Sequence, residues 1–301
     1  MVDTVLSGGW IIDGTRTPPY QADLCIQDGK IVAISPQWEG NCRTRVDVTG
    51  KIVSPGFIDI HTHSDTCPFS AVFPESKVAQ GITLEIVGNC GVSAVPILPS
   101  CQAEQTAYLR KISEIPVPEE AVRDASIQKY AAHVAQTGYP SHLGTLIGQG
   151  TLRAGIVGFQ DRPLTPSEME QMKFLLDDQL NQGALGLSLG LIYPPGSFSP
   201  TSELRELARV VQKHKKILAV HMRNEGPNIF QAVEEMLSIA EETGVHLHIS
   251  HLKLMGKAQW GQAPRLLERI EASRQRGAVV TCDQYPYTAT STILAALLPR
   301  R

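Results

Sequence analysis

Apolar residues change their rhythm near residue 55. Before that point they come in short runs broken by turn residues: Trp10-Ile11-Ile12 then Asp13-Gly14, and Leu24-Cys25-Ile26 then Asp28-Gly29 then Ile31-Val32-Ala33-Ile34. Asp-Gly between such runs favours a hairpin, because a type I′ turn needs positive φ at both central residues. Residues 1–54 are therefore predicted to form a small β-layer.

Beyond it, apolar β-branched runs alternate with amphipathic stretches, the pattern of parallel strands joined by crossover helices. Strands are predicted over 57–63, 83–89, 143–149, 184–189, 217–222, 245–251 and 278–283. The helices between them carry end signals. Thr165 is placed to cap a helix opened by Pro166, with Glu168 at the capping-box position, and Gly183, Gly244 and Gly277 stand where helices close. Because the last four strands recur at roughly thirty-residue intervals, one strand-helix unit each, the prediction is an α/β protein built as a (β/α)8-type TIM barrel. Such a barrel closes with eight strands, whereas only seven are legible before Arg301. The apolar, hydroxyl-rich stretch 288–298 reads as a loop or helix start, so residues 55–301 are expected to form a barrel domain that lacks its eighth strand.

Composition narrows the partners. With 301 residues, 42% hydrophobic and 19% charged, the chain can bury a large core, and a net charge of −3 supplies no broad basic field. That argues against nucleic acid or an anionic membrane and for a small molecule. The N-terminus shows no basic leader, and no apolar run reaches about eighteen residues, so a cytoplasmic location is expected. The six cysteines show no short repeating spacing and are expected to be free thiols.

Candidate chemistry sits where apolar runs end. His61 and His63 in Phe57-Ile58-Asp59-Ile60-His61-Thr62-His63 share one face of a strand, as a metal requires from one rigid element. An isolated H-x-H pair is equally well read as two solvated or core histidines. Cys90 lies between Gly88 and Gly91, where the backbone can turn sharply and aim a thiolate inward. His221 and His251 end two further apolar runs. In a barrel of this type, functional groups gather at the C-terminal strand ends, so all five residues can converge. Cys, His and His with a fourth position open is a catalytic zinc pattern, and the His61/His63 pair can join the same ion or a second one. Strand alternation sets His246 and His248 opposite His251, and the choice falls on His251, although a bulge would reverse that parity. His133, His142 and His214 are read as packed or solvated, and Asp59, Asp65 and Asp283 as supporting carboxylates.

The stretch Gly50-Lys51-Ile52-Val53-Ser54-Pro55-Gly56-Phe57-Ile58-Asp59-Ile60-His61-Thr62-His63 resembles the start of the amidohydrolase superfamily. Gly88-Asn89-Cys90-Gly91-Val92-Ser93, His221-Met222-Arg223-Asn224-Glu225 and Ile249-Ser250-His251-Leu252-Lys253 are similar to the D-aminoacylase, or N-acyl-D-amino-acid deacylase, branch. Most of the superfamily joins two metals through a carboxylated lysine on strand four, but Gly183-Ala184-Leu185-Gly186-Leu187-Ser188-Leu189-Gly190 contains none. In the D-aminoacylase branch a strand-two cysteine takes that role, and Cys90 matches it.

The resemblance implies a metal-dependent hydrolase that cleaves N-acyl-D-amino acids to a D-amino acid and a carboxylate. One tight zinc would be held by Cys90, His221 and His251, and a weaker second metal by His61 and His63. It places substrate contacts at Tyr193, Lys253, Tyr285 and Ser291, and Arg223 is a further candidate for orienting an anion. The catalytic aspartate is expected on the missing eighth strand, which would leave the 301 residues severely impaired alone. Residues 1–54 would form part of a β-sandwich completed elsewhere. Two other readings stay open: a dihydroorotase-like hydrolase of cyclic amides or dipeptides, and a catalytically silent metal-binding remnant.

Overall fold

Asp28 and Gly29 adopt φ of +50° and +71°, the mirror-image turn that their residue types favour, and so join two antiparallel strands with a two-residue loop. In the computed structural model, which describes residues 1–70, 73, 75–111, 113 and 126–297, these are β2 (Tyr20–Gln27) and β3 (Lys30–Ser35). They extend a sheet centred on β1 (Val2–Ile11), which pairs antiparallel with β2 and parallel with β4 (Cys42–Asp47) and β5 (Ile52–Val53). The Asp13-Gly14 pair does not make a tight hairpin, because eight residues separate β1 from β2. Small apolar clusters, Val2, Val5 and Cys25 together and Ile11, Ala22 and Leu24 together, line this sheet. The chain divides into two units, Met1–Phe57 and Ile58–Arg301.

The longer unit alternates strands and helices. Its strands are β6 (Phe57–Asp59), β7 (Ile82–Val87), β8 (His142–Thr145), β9 (Ile147–Gly148), β10 (Gly186–Gly190), β11 (Ile217–His221), β12 (His246–Ile249) and β13 (Val280–Cys282). Neighbours follow chain order, β6-β7-β8 in one sheet and β9 to β13 in the next. Only Leu146 separates β8 from β9, and β7 with β8, and β9 through β13, pair in parallel. This is the strand order and direction of the TIM-barrel class.

The helices are α1 (Glu75–Ala79), α2 (Gln102–Leu109), α3 (Ile127–Thr137), α4 (Gln149–Val157), α5 (Pro166–Asn181), α6 (Thr201–Lys213), α7 (Ile229–Thr243) and α8 (Ala263–Gln275). Helix α5 begins with a complete capping box: Glu168 N–H donates to Thr165 Oγ1 while Thr165 N–H donates to the Glu168 carboxylate. Gly244, at φ +72°, closes α7. The longer helices turn an apolar stripe inward, and Leu187 and Leu189 of β10, Met172 and Leu176 of α5, and Leu204, Leu207 and Val211 of α6 are fully buried together.

Two predicted strands end early. Residues 60–63 lie past the end of β6, and β12 stops at Ile249. His251 then takes φ +39°, with its N–H donating 2.5 Å to Asp283 Oδ1, a side-chain bond that replaces a strand ladder. Strand alternation therefore does not set the direction of His61, His63 or His251. Of the predicted stretch 288–298, the final residue lies outside the described residues, and Leu294–Leu297 is one short helical turn. No described helix is long and apolar enough to cross a membrane.

Candidate metal centre

Cys90 is built by the turn that follows β7. Gly88 and Gly91 take φ of +77° and +76°, and Cys90 itself +54°, a conformation in which L residues are strained. Neither glycine tolerates a side chain: a Cβ on Gly88 would stand 2.1 Å from the Leu146 carbonyl oxygen, and one on Gly91 2.5 Å from the Gly190 nitrogen. Ser188 fixes the turn from β10 by accepting the Gly91 N–H at 3.0 Å and donating at 2.5 Å to the Gly88 carbonyl.

The thiol faces four imidazoles. Cys90 Sγ lies 3.4 Å from His61 Nε2 and 3.5 Å from His251 Nε2. The His251 ring centroid is 4.5 Å from that of His221 and 4.9 Å from that of His61, and the His61 and His63 centroids are 5.6 Å apart. Burial pushes the Cys90 thiol up, but the surrounding imidazoles of His221, His251, His61 and His63 outweigh it and hold the thiol well below its ordinary range. The five sequence candidates for metal ligation are thus neighbours, and among the described residues ligand atoms come within 4.8 Å of one another in two groups, His61, Cys90 and His251, and His221, Glu225 and His251.

Behind this layer stand carboxylates. Asp283, just past β13, accepts 2.8 Å from His248 Nε2 and 3.2 Å from His61 Nδ1, besides the His251 amide. Burial disfavours the charged His61 ring, yet bonds to Asp283 and Cys90 raise its pKa to about 10. Asp283 is itself held far below the usual carboxylate range: burial opposes this, and His248 and His61 prevail. His248 also bonds Thr281 Oγ1 at 2.8 Å, so it supports the cluster from behind. Asp65 accepts the Gly88 N–H at 2.9 Å, and Asp59 pairs with Lys77.

Glu225 is the residue that sequence reasoning missed. It is buried, with Oε1 2.9 Å from His251 Nδ1, 4.0 Å from His221 Nε2 and 2.6 Å from Lys253 Nζ. Its signal was available, since it follows His221 by four residues in the loop after β11.

The substrate-contact candidates separate. Tyr193 and Ser291 line a cavity of about 260 Å³ together with His63, Cys90, Val92 and Tyr108. Tyr193 Oη is 2.9 Å from Thr292 Oγ1 and 3.5 Å from His221 Nδ1. Lys253 and Tyr285 line an adjacent cavity with His251, the ammonium standing 5.6 Å from the Tyr285 ring centroid. Arg223 is not brought to the cluster. Its guanidinium donates to both Glu235 oxygens and to the Ser197 and Ser199 carbonyls, a site fixed by its position in the loop against α7.

A metal suits these residues. One thiol and several imidazoles are the donor set zinc prefers. His221 Nε2 and His63 Nδ1 are buried with no hydrogen-bond partner among the described residues, which is costly for a polar atom that has no other ligand.

Parallel-barrel topology gathers a Cys-His cluster at the C-terminal strand ends, a donor set that suits a divalent metal. A model of the amidohydrolase family matches residues 44–282, and the chain belongs to that family. It is 36% identical over 292 residues to a D-aminoacylase of Alcaligenes xylosoxydans xylosoxydans, covering 97% of this chain and 59% of the relative. Over 296 residues it is 36% identical to an N-acyl-D-glutamate deacylase from the same organism, covering 97% and 58%. The N-acyl-D-glutamate deacylase of Bordetella bronchiseptica, solved with zinc and a phosphonate inhibitor, superimposes with a TM-score of 0.84 at 36% identity, covering 95% of this chain and 59% of that one. The chain thus spans somewhat under two thirds of these relatives.

Proposed function

We propose that the protein is a zinc-dependent hydrolase of N-acyl-D-amino acids, cleaving the amide with water to a carboxylate and a D-amino acid. The observation that carries this reading is the convergence of Cys90, with His61 and His251 within 3.5 Å of its sulfur, in the wall of a cavity of about 260 Å³. Cys90, His221 and His251 would hold a tight zinc, and His61 and His63 a weaker second ion. Bound there, zinc supplies Lewis acidity that activates water and polarises the scissile carbonyl.

The chain's own residues do the rest. Glu225 and Asp283 orient His251 and His61 through the ring nitrogens that face away from the thiol. Tyr193 and Ser291 present hydroxyls to the cavity and fit the scissile carbonyl, while Val92 and Ile293 keep its wall apolar. Lys253 and Tyr285 stand on the far side of His251, suited to the substrate carboxylate once Lys253 shares its charge between that group and Glu225. Localisation in the cytoplasm and a single small-molecule partner are part of the same reading. No described residue takes the role of the aspartate that the family resemblance assigns to an eighth strand.

Metal analysis of purified wild type beside Cys90→Ala tests this proposal. Wild type is expected to retain about one equivalent of zinc through dialysis, and the variant to lose it. Amine release from N-acetyl-D-amino acids, without ring opening of hydantoins, is the accompanying activity expected. Unchanged zinc in Cys90→Ala would make the cysteine a packing residue and end the case.

A further inference from the structure

We propose that Lys111 forms a subsite for a second carboxylate on the substrate, remote from the scissile amide. The inference rests on the deacylase reading and specifies its substrate class. Lys111 follows α2 and lines the same cavity of about 260 Å³ as Cys90 and His63, so a molecule reacting at the cluster comes within reach of its ammonium.

That ammonium is held by aromatic faces and not by an acid. Its Nζ stands 4.6 Å from the Phe159 ring centroid and 5.3 Å from that of Tyr108, and it makes no ion pair among the described residues. Other cations around the cluster are already answered: Lys253 by Glu225, and Arg223 by both oxygens of Glu235. An anion entering this cavity therefore meets a cation, Lys111, that no acid among the described residues pairs. A second polar group of the same wall is also unanswered, for the buried Tyr108 hydroxyl has no hydrogen-bond partner among the described residues.

Partial burial of the ammonium lowers the Lys111 pKa although the residue as a whole is exposed. An arriving carboxylate would restore the lost solvation through a charge-assisted hydrogen bond. The aromatic pair fixes the ammonium without neutralising it. Ligand carboxylates of two origins fit: an acidic side chain on the amino acid, or the free end of a dicarboxylic acyl group.

The test compares isosteric pairs in the zinc-loaded protein, wild type beside Lys111→Met, which keeps the aliphatic stem on Tyr108 and Phe159. N-acetyl-D-glutamate against N-acetyl-D-glutamine reads the side-chain source, and N-succinyl-D-leucine against N-succinamoyl-D-leucine reads the acyl source. For at least one pair, wild type is expected to favour the acid in kcat/KM by about 10- to 100-fold, with the preference collapsing toward unity in Lys111→Met and returning in Lys111→Arg. Equilibrium binding of the same pairs to zinc-depleted protein provides a readout that needs no turnover. If the binding preference depends on Lys111 but Cys90→Ala keeps its zinc, the deacylase reading fails and the subsite stands. Equal preference in wild type and Lys111→Met for both pairs would overturn the proposal.

Discussion

At the scale of single residues, the centre depends on groups that never face the proposed metal. Asp283 is the clearest of them, because one carboxylate accepts from His61, His248 and the His251 backbone and so ties three strand ends together. An imidazole ligand oriented by a carboxylate is fixed in its tautomer and made more basic, and removing such a partner commonly costs about 10- to 100-fold in metal affinity. Asp283→Asn keeps the shape but loses the charge and one acceptor. Zinc affinity measured by chelator competition is expected to fall at least about tenfold, with far-ultraviolet circular dichroism unchanged. Wild-type affinity in the variant would show that His61 and His251 are held in place by packing alone.

At the scale of elements, most of the architecture could be read from period and punctuation. The predicted strand 217–222 is observed as Ile217–His221, and the helix after Thr165 opens at Pro166 with its full capping box. What could not be read was direction at the strand ends. His61, His63 and His251 all lie past the ends of their strands, and at His251 a left-handed turn and a side-chain hydrogen bond interrupt alternation. His251 was therefore chosen by a parity argument that does not apply to it, and His248 was set aside although it supports the cluster through Asp283. Lys111 escaped notice because its role arises from a contact with the distant Phe159, whereas the spacing of Glu225 from His221 was a local signal.

The cap of α5 allows a direct stability test. Thr165→Ala removes the acceptor for the Glu168 N–H and is expected to lower stability by about 1 kcal/mol in urea unfolding. Glu168 adds a pH signature. Hydrogen bonds from Arg162 and from the Thr165 amide hold its pKa at about 2 against an unfolded value of 4.5. The unfolded chain therefore takes up this proton first, so the contribution is complete above about pH 4.5 and is lost as the pH falls toward about 2. Glu168 is partly exposed, and the effect should shrink as salt is added. A urea midpoint indifferent to Thr165→Ala would mean that α5 is held by its buried face alone.

At the scale of the whole molecule, the barrel strands run in chain order from β6 to β13, and each of these two has a single paired neighbour among the described residues. Parallel edges of this kind present unpaired backbone N–H and C=O groups. Apolar side chains accompany them: Ile58 and Ile60 near one edge and Val279 at the other are exposed, and a cavity of about 620 Å³ beneath the centre is lined by Ile58, Ile60, Ile86, Leu146 and Leu185. A net charge of −3 gives little repulsion between copies. The 301-residue chain, purified by itself, is therefore expected to self-associate. Sedimentation velocity across a tenfold concentration range should show its mean sedimentation coefficient rising, and Ile58→Lys should reduce that rise by charging the edge. A single concentration-independent monomer that melts cooperatively would mean that these edges and the apolar cavity are covered within the chain itself.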